Sequence, residues 1–284
     1  MELRKIDLNE WTLFGGGATS DTYYHKTDDS VMLKVFVTTV EKTVPIREYD
    51  LTVKVYNLGV KTPRVIEMVD VDGRIGIIYQ RIKNKISCAR LMGDHEELIP
   101  EVARDYVKEV KKLHNTKCDV HAFKGKKETA IDLIKGARYI NDAQKANLLK
   151  FVESVPDRDT CLHCDLQMGN LIKADGEYYW IDLGDFSYGH PYFDVASVMF
   201  AADTVAHTPK TQELYHMTTP QLRKFWKCFL YEYFETKDEK ELEKHVKELI
   251  PFLAVYYLYV VEVNNFMVGG EELFQSVINQ VKFK

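Results

Sequence analysis

Cysteine is scarce in this sequence and follows no framework. The 284 residues contain five, at positions 88, 118, 161, 164 and 228, an odd and scattered set. That excludes a disulfide scaffold and suits a reducing compartment. Cys161 and Cys164 spell C-x-x-C, but there is no second such pair and no H-x3-5-H, so a zinc or thiol-redox site lacks its other half. Long apolar runs are missing too. The longest, residues 252–261, falls well short of the ~20 residues that a bilayer requires. The opening Met-Glu-Leu-Arg-Lys-Ile-Asp has no apolar h-region. The expectation is a cytoplasmic protein that does not engage a membrane. A net charge of −5 without a long basic run also argues against nucleic acid as a partner. No repeat of 20–50 residues is visible. The phosphate-binding G-x4-G-K-[ST] is absent as well.

What is present is an ordinary globular balance, 45% hydrophobic and 29% charged, enough for one large domain or two smaller ones. The first eighty or so residues read as strands. Residues 13–24 place glycines between two β-type segments. Residues 31–37 are a strong β run with Lys34 inside it. Over residues 43–58 Val44, Leu51, Val55 and Leu58 recur at helical intervals, and Gly59 stops the pattern. Two further β runs, 65–71 and 75–82, are joined at Asp72-Gly73, a hairpin turn. After Lys83 the periodicity is helical over 102–113, 131–152, 220–234 and 242–268, with a β-rich island at 162–181. Residues 1–83 carry 12 Lys and Arg against 12 Asp and Glu, so the whole net charge of −5 lies in residues 84–284. An acidic helical lobe suits a cationic ligand, and it equally suits a generic solvated surface.

The β island carries the chemistry. Asp165 and Asn170 stand five apart on one loop. Asp182 follows a β run beyond the turn at Ala174-Asp175-Gly176. A hairpin would bring all three to one end. A carboxylate with an amide oxygen is a hard-oxygen set of the kind that holds Mg²⁺ together with phosphates. A second carboxylate can accept a hydroxyl proton. Lys34, inside an apolar strand, needs an anionic partner at its tip to offset its desolvation. Gly15-Gly16-Gly17-Ala18-Thr19-Ser20 sits between strands, where missing side chains let backbone N–H groups approach phosphates, as they also do in ordinary hairpins.

These residues resemble the aminoglycoside phosphotransferase and choline kinase superfamily, the small-molecule relatives of protein kinases. His163-x-Asp165-x4-Asn170 is similar to its catalytic loop, Ile181-Asp182 to its metal-binding aspartate, and His190-Pro-Tyr-Phe-Asp194-Val-Ala196 to the stretch that follows. The resemblance covers nearly the whole chain. It implies an α+β, bilobal, protein-kinase-like fold: a small antiparallel β lobe with one helix over residues 1–83, binding nucleotide, and a larger, mainly helical lobe over 84–284, holding the catalytic loop and the acceptor. The activity implied is Mg²⁺-dependent transfer of the γ-phosphoryl group of ATP or GTP to a hydroxyl of a small molecule. The acceptor would be an aminoglycoside, or alternatively choline, another amino alcohol or a sugar. A non-catalytic pseudokinase is the rival from another class.

The same resemblance assigns roles. Asp165 orients the acceptor hydroxyl and takes its proton, with Lys34 on the phosphates and His163 bracing the loop. Asn170 and Asp182 hold magnesium. Gly15, Gly16, Gly17 and Ser20 cover the nucleotide. Glu48 partners Lys34, and Tyr79, Gln80 and Ile82 form the hinge beside the base. Asp194 is a further brace, and a packed structural histidine is expected at His114. Two residues stay open as acceptor contacts: Asp185, which can instead cap the following helix, and Glu262, which lies on a helix whose tyrosines 256, 257 and 259 are either core or a cage for a cation.

Overall fold

The computed structural model describes residues 3–16 and 19–282. The chain forms two compact units. Unit 1 is Met1–Ile86 with Ile172–Phe186, and unit 2 is Ser87–Leu171 with Ser187–Lys284.

Unit 1 is built on a six-stranded sheet. Its strands are β1 (Arg4–Lys5), β2 (Trp11–Gly16), β3 (Ser20–His25), β4 (Val31–Phe36), β5 (Val65–Val71) and β6 (Arg74–Gln80), in the order β1-β5-β6-β4-β3-β2. Only β1 and β5 run parallel; the other neighbours are antiparallel. The Asp72-Gly73 turn joins β5 to β6 with φ of 52° and 81°, the left-handed pair that a two-residue hairpin needs. Strand alternation then sorts the side chains. Leu33 and Val35 of β4 bury one face with Trp11, Val69 and Ile78. Phe36 of β4 lies on the other face with Ile77 and Tyr79, against Val44 and Tyr49 of helix α1 (Thr43–Asn57). Lys34, two residues before Phe36, is on that same side and therefore points toward α1.

Sequence periodicity placed residues 172–186 with the helical lobe, whereas they belong to unit 1. A hairpin of Leu171–Ala174 and Glu177–Trp180 buries Ile172 and Ala174 against Ile82, with Ile181 packed alongside. The Trp180 N–H donates to the Lys61 carbonyl at 2.9 Å. This contact, not the local pattern, decides the boundary.

Unit 2 contains helices α2 (Cys88–Asp94), α3 (Ile99–His114), α4 (Lys126–Gly136), α5 (Asp142–Ser154), α6 (Tyr192–Met199), α7 (Pro209–Tyr215), α8 (Thr219–Phe234), α9 (Glu239–Asn264) and α10 (Gly270–Ile278). The single helix expected over 131–152 is two. Asn141 caps α5 through a reciprocal capping box with Gln144, which starts a new helix rather than extending α4. Cys161–Leu162 pairs antiparallel with Ser187–Tyr188. Tyr106, Phe225 and Phe229 are fully buried where α3 meets α8. Among the described residues no helix is long and apolar enough to cross a membrane.

Candidate active site

In unit 1 a cavity of about 550 Å³ is lined by Gly15 and Gly16 from the end of β2, Ser20 from the start of β3, Lys34, Glu48, Tyr79, Ile82 and Asp182. That size suits a small ligand or cofactor. Gly17 lies outside the described residues. Neither Gly15 nor Gly16 has a positive φ. At Gly16 a Cβ would stand 2.7 Å from Asp21 Oδ1, the end of a side chain that can swing aside. A bulge between Leu13 and Gly15 leaves Phe14 unpaired in the ladder and lining the cavity beside the glycines.

Lys34 is the charged centre of this cavity. Its Nζ donates to both Glu48 oxygens, at 2.8 and 2.9 Å, and to Asp182 Oδ1 at 3.1 Å. Burial works against the ammonium, but the Asp182 and Glu48 carboxylates outweigh it and hold its pKa above the ordinary lysine value. Glu48 is buried on α1 and also accepts the Tyr79 hydroxyl at 2.8 Å. Burial, then the Glu48 charge, pushes that phenol well up, so it stays a donor. Asp182 holds φ at +64°, a left-handed conformation unusual for a residue with a Cβ.

Of the residues expected to form a hinge, Tyr79 and Ile82 line the cavity. Gln80 does not: it is exposed, and its N–H donates to the Arg64 carbonyl at 2.8 Å. Asp185 accepts from Arg47 of α1 at 3.1 Å. It does not cap α6, whose N-cap is Pro191. Lys85 escaped the sequence reading. It also lines the cavity, and burial and the neighbouring Arg81 lower its pKa. No local pattern marks it.

Unit 2 holds the loop of residues 163–170. Asp194, fully buried in the first turn of α6, accepts the His163 N–H at 2.9 Å and the Cys164 N–H at 2.7 Å, and lies 3.0 Å from His114 Nε2. The Leu166 N–H donates to Ser197 Oγ, and Tyr106 Oη to the Leu166 carbonyl. His163 is fully buried, and its Nδ1 accepts the Asp165 N–H at 3.4 Å. Asn170 donates through Nδ2 to the Asp165 carbonyl and to Asp165 Oδ2, both at 2.9 Å. Tyr256 of α9 donates to Asp165 Oδ1 at 2.8 Å, a contact across 91 residues with no signature in the sequence. Burial and the Asp165 charge push the Tyr256 phenol well up.

Glu262 does not present a free carboxylate. It accepts the backbone N–H groups of Arg138 and Tyr139 and the Arg138 guanidinium, and so ties the segment after α4 to α9. This corrects the acceptor role held open for it, since its oxygens are already taken up within the chain. Cys161 and Cys164 are buried and not in a disulfide, and Cys161 shares a sulfur hydrogen bond with Cys118. The spacing C-x-x-C therefore reflects packing around the loop.

The fold has solved counterparts. An aminoglycoside phosphotransferase APH(4)-Ia, a thermostable mutant in its apo form, superposes with a TM-score of 0.62 at 13% identity, covering 95% of this chain and 92% of that one. A Plasmodium vivax ethanolamine kinase gives 0.59 at 14%, covering 97% and 82%. An amicoumacin kinase in complex with AMP-PNP, Ca²⁺ and Ami gives 0.58 at 13%, covering 98% and 90%. No curated protein matches the sequence. The α+β architecture, a sheet unit and a helical unit, is the protein-kinase-like one expected. The family model of the phosphotransferase enzymes matches residues 10–218, most of the chain, and the protein belongs to that phosphotransferase enzyme family.

Proposed function

We propose that the protein transfers the γ-phosphoryl group of ATP or GTP to a hydroxyl of a small molecule. The observation that carries this reading is the Lys34 ammonium, held by Glu48 and Asp182 in the wall of a nucleotide-sized cavity. A buried ammonium with two carboxylates is poised to exchange one of them for phosphate oxygens. Gly15, Gly16 and Ser20 cover the phosphates, and Tyr79 and Ile82 flank the base. Asp165 is the proton acceptor. As the acceptor oxygen bonds to the γ-phosphorus, the bond to the β,γ-bridging oxygen breaks, the hydroxyl proton passes to Asp165, and the nucleoside diphosphate leaves. His163 and Asp194 are positioning residues for that loop.

By chemistry alone, the side chain of Asn170 in unit 2 and that of Asp182 in unit 1 are each of a kind that holds magnesium. Each offers a hard oxygen, and with Asn170 Nδ2 bonded to Asp165, the amide oxygen is the end left for a cation. Bound there with the nucleotide, Mg²⁺ would neutralise charge on the phosphates. The comparison structure containing AMP-PNP and Ca²⁺ supports a nucleotide and a divalent ion. For the acceptor, the relatives span aminoglycosides and ethanolamine, and an aminoglycoside, an amino alcohol and a sugar form the minimal screen.

The test is nucleotide turnover with that panel, in the wild type and in Asp165→Asn. Loss of the general base is expected to lower kcat by about 10²–10⁴-fold. Undiminished phosphotransfer in Asp165→Asn, or turnover abolished only by replacing Cys161 and Cys164, overturns the reading.

A further inference from the structure

We infer that Tyr256 is a positioning residue for the proton-accepting carboxylate, through the hydrogen bond from its hydroxyl to Asp165 Oδ1. The inference rests on the role just proposed for Asp165.

The geometry is two-sided. Asn170 Nδ2 holds Oδ2 at 2.9 Å and Tyr256 Oη holds Oδ1 at 2.8 Å, so each carboxylate oxygen carries one donor from the chain. A carboxylate with one anchor can still swing about its Cβ–Cγ bond. Two anchors from opposite oxygens fix the plane of the group. Orienting a reacting group in advance lowers the barrier because that ordering is not required again at each turnover.

The hydroxyl is itself held firmly. The Tyr256 ring meets Phe200 edge-on at 5.3 Å between centroids and lies 6.2 Å from Tyr259. Phe200 opens a π-helical turn at Phe200–Thr204, directly after α6, and such turns often accompany functional sites. Tyr256 is buried, and further along α9 the helix is clamped by Glu262 to Arg138 and Tyr139. The loop is anchored by α6 through Asp194 and Ser197. The α6–π-turn segment thus supports both partners of the bond, the loop directly and the tyrosine through Phe200. A tyrosine serving only as core filling would need no acceptor on the loop; a phenylalanine would bury the same ring.

A double-mutant cycle tests this. Tyr256→Phe keeps the ring and removes the donor. Turnover of ATP and GTP is measured with gentamicin, ethanolamine and glucose, for the wild type, Tyr256→Phe, Asp165→Asn and the double variant, with thermal midpoints alongside. Tyr256→Phe is expected to lower kcat about tenfold, to leave the nucleotide KM within twofold, and to have less than a twofold further effect once Asp165 is Asn. An equal fold-loss in both backgrounds, or an unchanged kcat in Tyr256→Phe, overturns the positioning role. If the variant proves destabilised, the cycle still decides, because a general loss of folded protein lowers both backgrounds alike. Asp165→Asn separates the two levels. If it leaves turnover intact, or no acceptor turns over at all, the phosphotransfer reading falls and the inference with it. If it alone lowers turnover, only the role of Tyr256 falls.

Discussion

Glu48→Gln removes one charge from a place where two other side chains depend on it. The carboxylate accepts Lys34 Nζ at 2.8 and 2.9 Å and Tyr79 Oη at 2.8 Å. At 2.8 Å and an effective dielectric near 20, the gross attraction between the two charges is about 6 kcal/mol. Much of that offsets desolvation, since the two side chains are only 17% and 9% exposed. Removing one partner of a buried pair costs about 3–5 kcal/mol. The low end applies, because Lys34 keeps Asp182 at 3.1 Å and the glutamine oxygen still accepts from Tyr79. A loss of about 3 kcal/mol lowers the melting midpoint of unit 1 by roughly 10 °C or more. If the pair also aims Lys34 at the phosphates, the same loss in the transition state lowers kcat/KM for the nucleotide by about 100-fold. Steady-state kinetics and a thermal melt of the same variant check both. A lowered melting midpoint with kcat/KM within threefold of wild type would show that Glu48 packs the sheet without orienting Lys34, and would refute the argument.

Three further outcomes follow from the geometry. Burial opposes the Glu262 charge, but hydrogen bonds from the Arg138 and Tyr139 backbone and the Arg138 guanidinium outweigh it and hold its pKa below the ordinary 4.5. A depressed carboxyl pKa stabilises the fold above the unfolded value and is lost as pH falls through the folded one. Glu262→Gln should therefore cost about 1–2 kcal/mol at pH 7, with the gap closing as pH falls below the ordinary carboxylate value and through the lowered one, and a constant gap in urea titrations would contradict this. Gly93→Ala places a Cβ well inside contact distance of the His216 carbonyl oxygen, so a loss of about 2 kcal/mol or more in the stability of unit 2 is expected; an unchanged melting midpoint would show that α2 does not sit against that carbonyl. Asp182→Gly relaxes a left-handed residue and removes a carboxylate that is itself 56% exposed, while Lys34 keeps Glu48, so stability should stay within about 1 kcal/mol while nucleotide turnover is lost; retained turnover would remove Asp182 from the site.

Much of unit 1 was legible because its signals are local. The β-type runs, the Asp72-Gly73 turn and the apolar spacing of α1 each state their element within a few residues, and α1 ends at Asn57 with Gly59 at φ +83° where the periodicity stops. Lys34 was legible as a conflict, a charge in an apolar strand, and conflicts of that kind gather at sites. The boundary at residue 83 failed to assign 172–186 because Ile172 and Ile181 find Ile82 only after the chain returns. Glu262 was ambiguous since an acid on an apolar helix looks the same whether it meets a ligand or a pair of backbone N–H groups. Tyr256 was visible as part of an aromatic stripe, but its hydrogen bond to Asp165 is a product of tertiary packing alone.

Two backbone positions connect these points. Cys164 and Asp182 both hold non-glycine residues in the left-handed region, at φ 67° and 64°, a conformation that costs of order 1 kcal/mol or more for a residue with a Cβ. Glycine would remove that cost, so each side chain or its neighbour must require the residue. At Asp182 the carboxylate itself reaches Lys34. At Cys164 the requirement lies in the main chain: its N–H and that of His163 both donate to the buried Asp194, and a small apolar side chain fills a fully buried position. Those charge-assisted bonds, each stronger than a neutral one, over-determine the kink and deliver Asp165 directly after it. The residues with chemistry are thus attached to backbone that would relax elsewhere if its anchors were cut. This is why Asp194, which touches no substrate in the proposed reaction, belongs with the loop of residues 163–170 as firmly as Asn170 does.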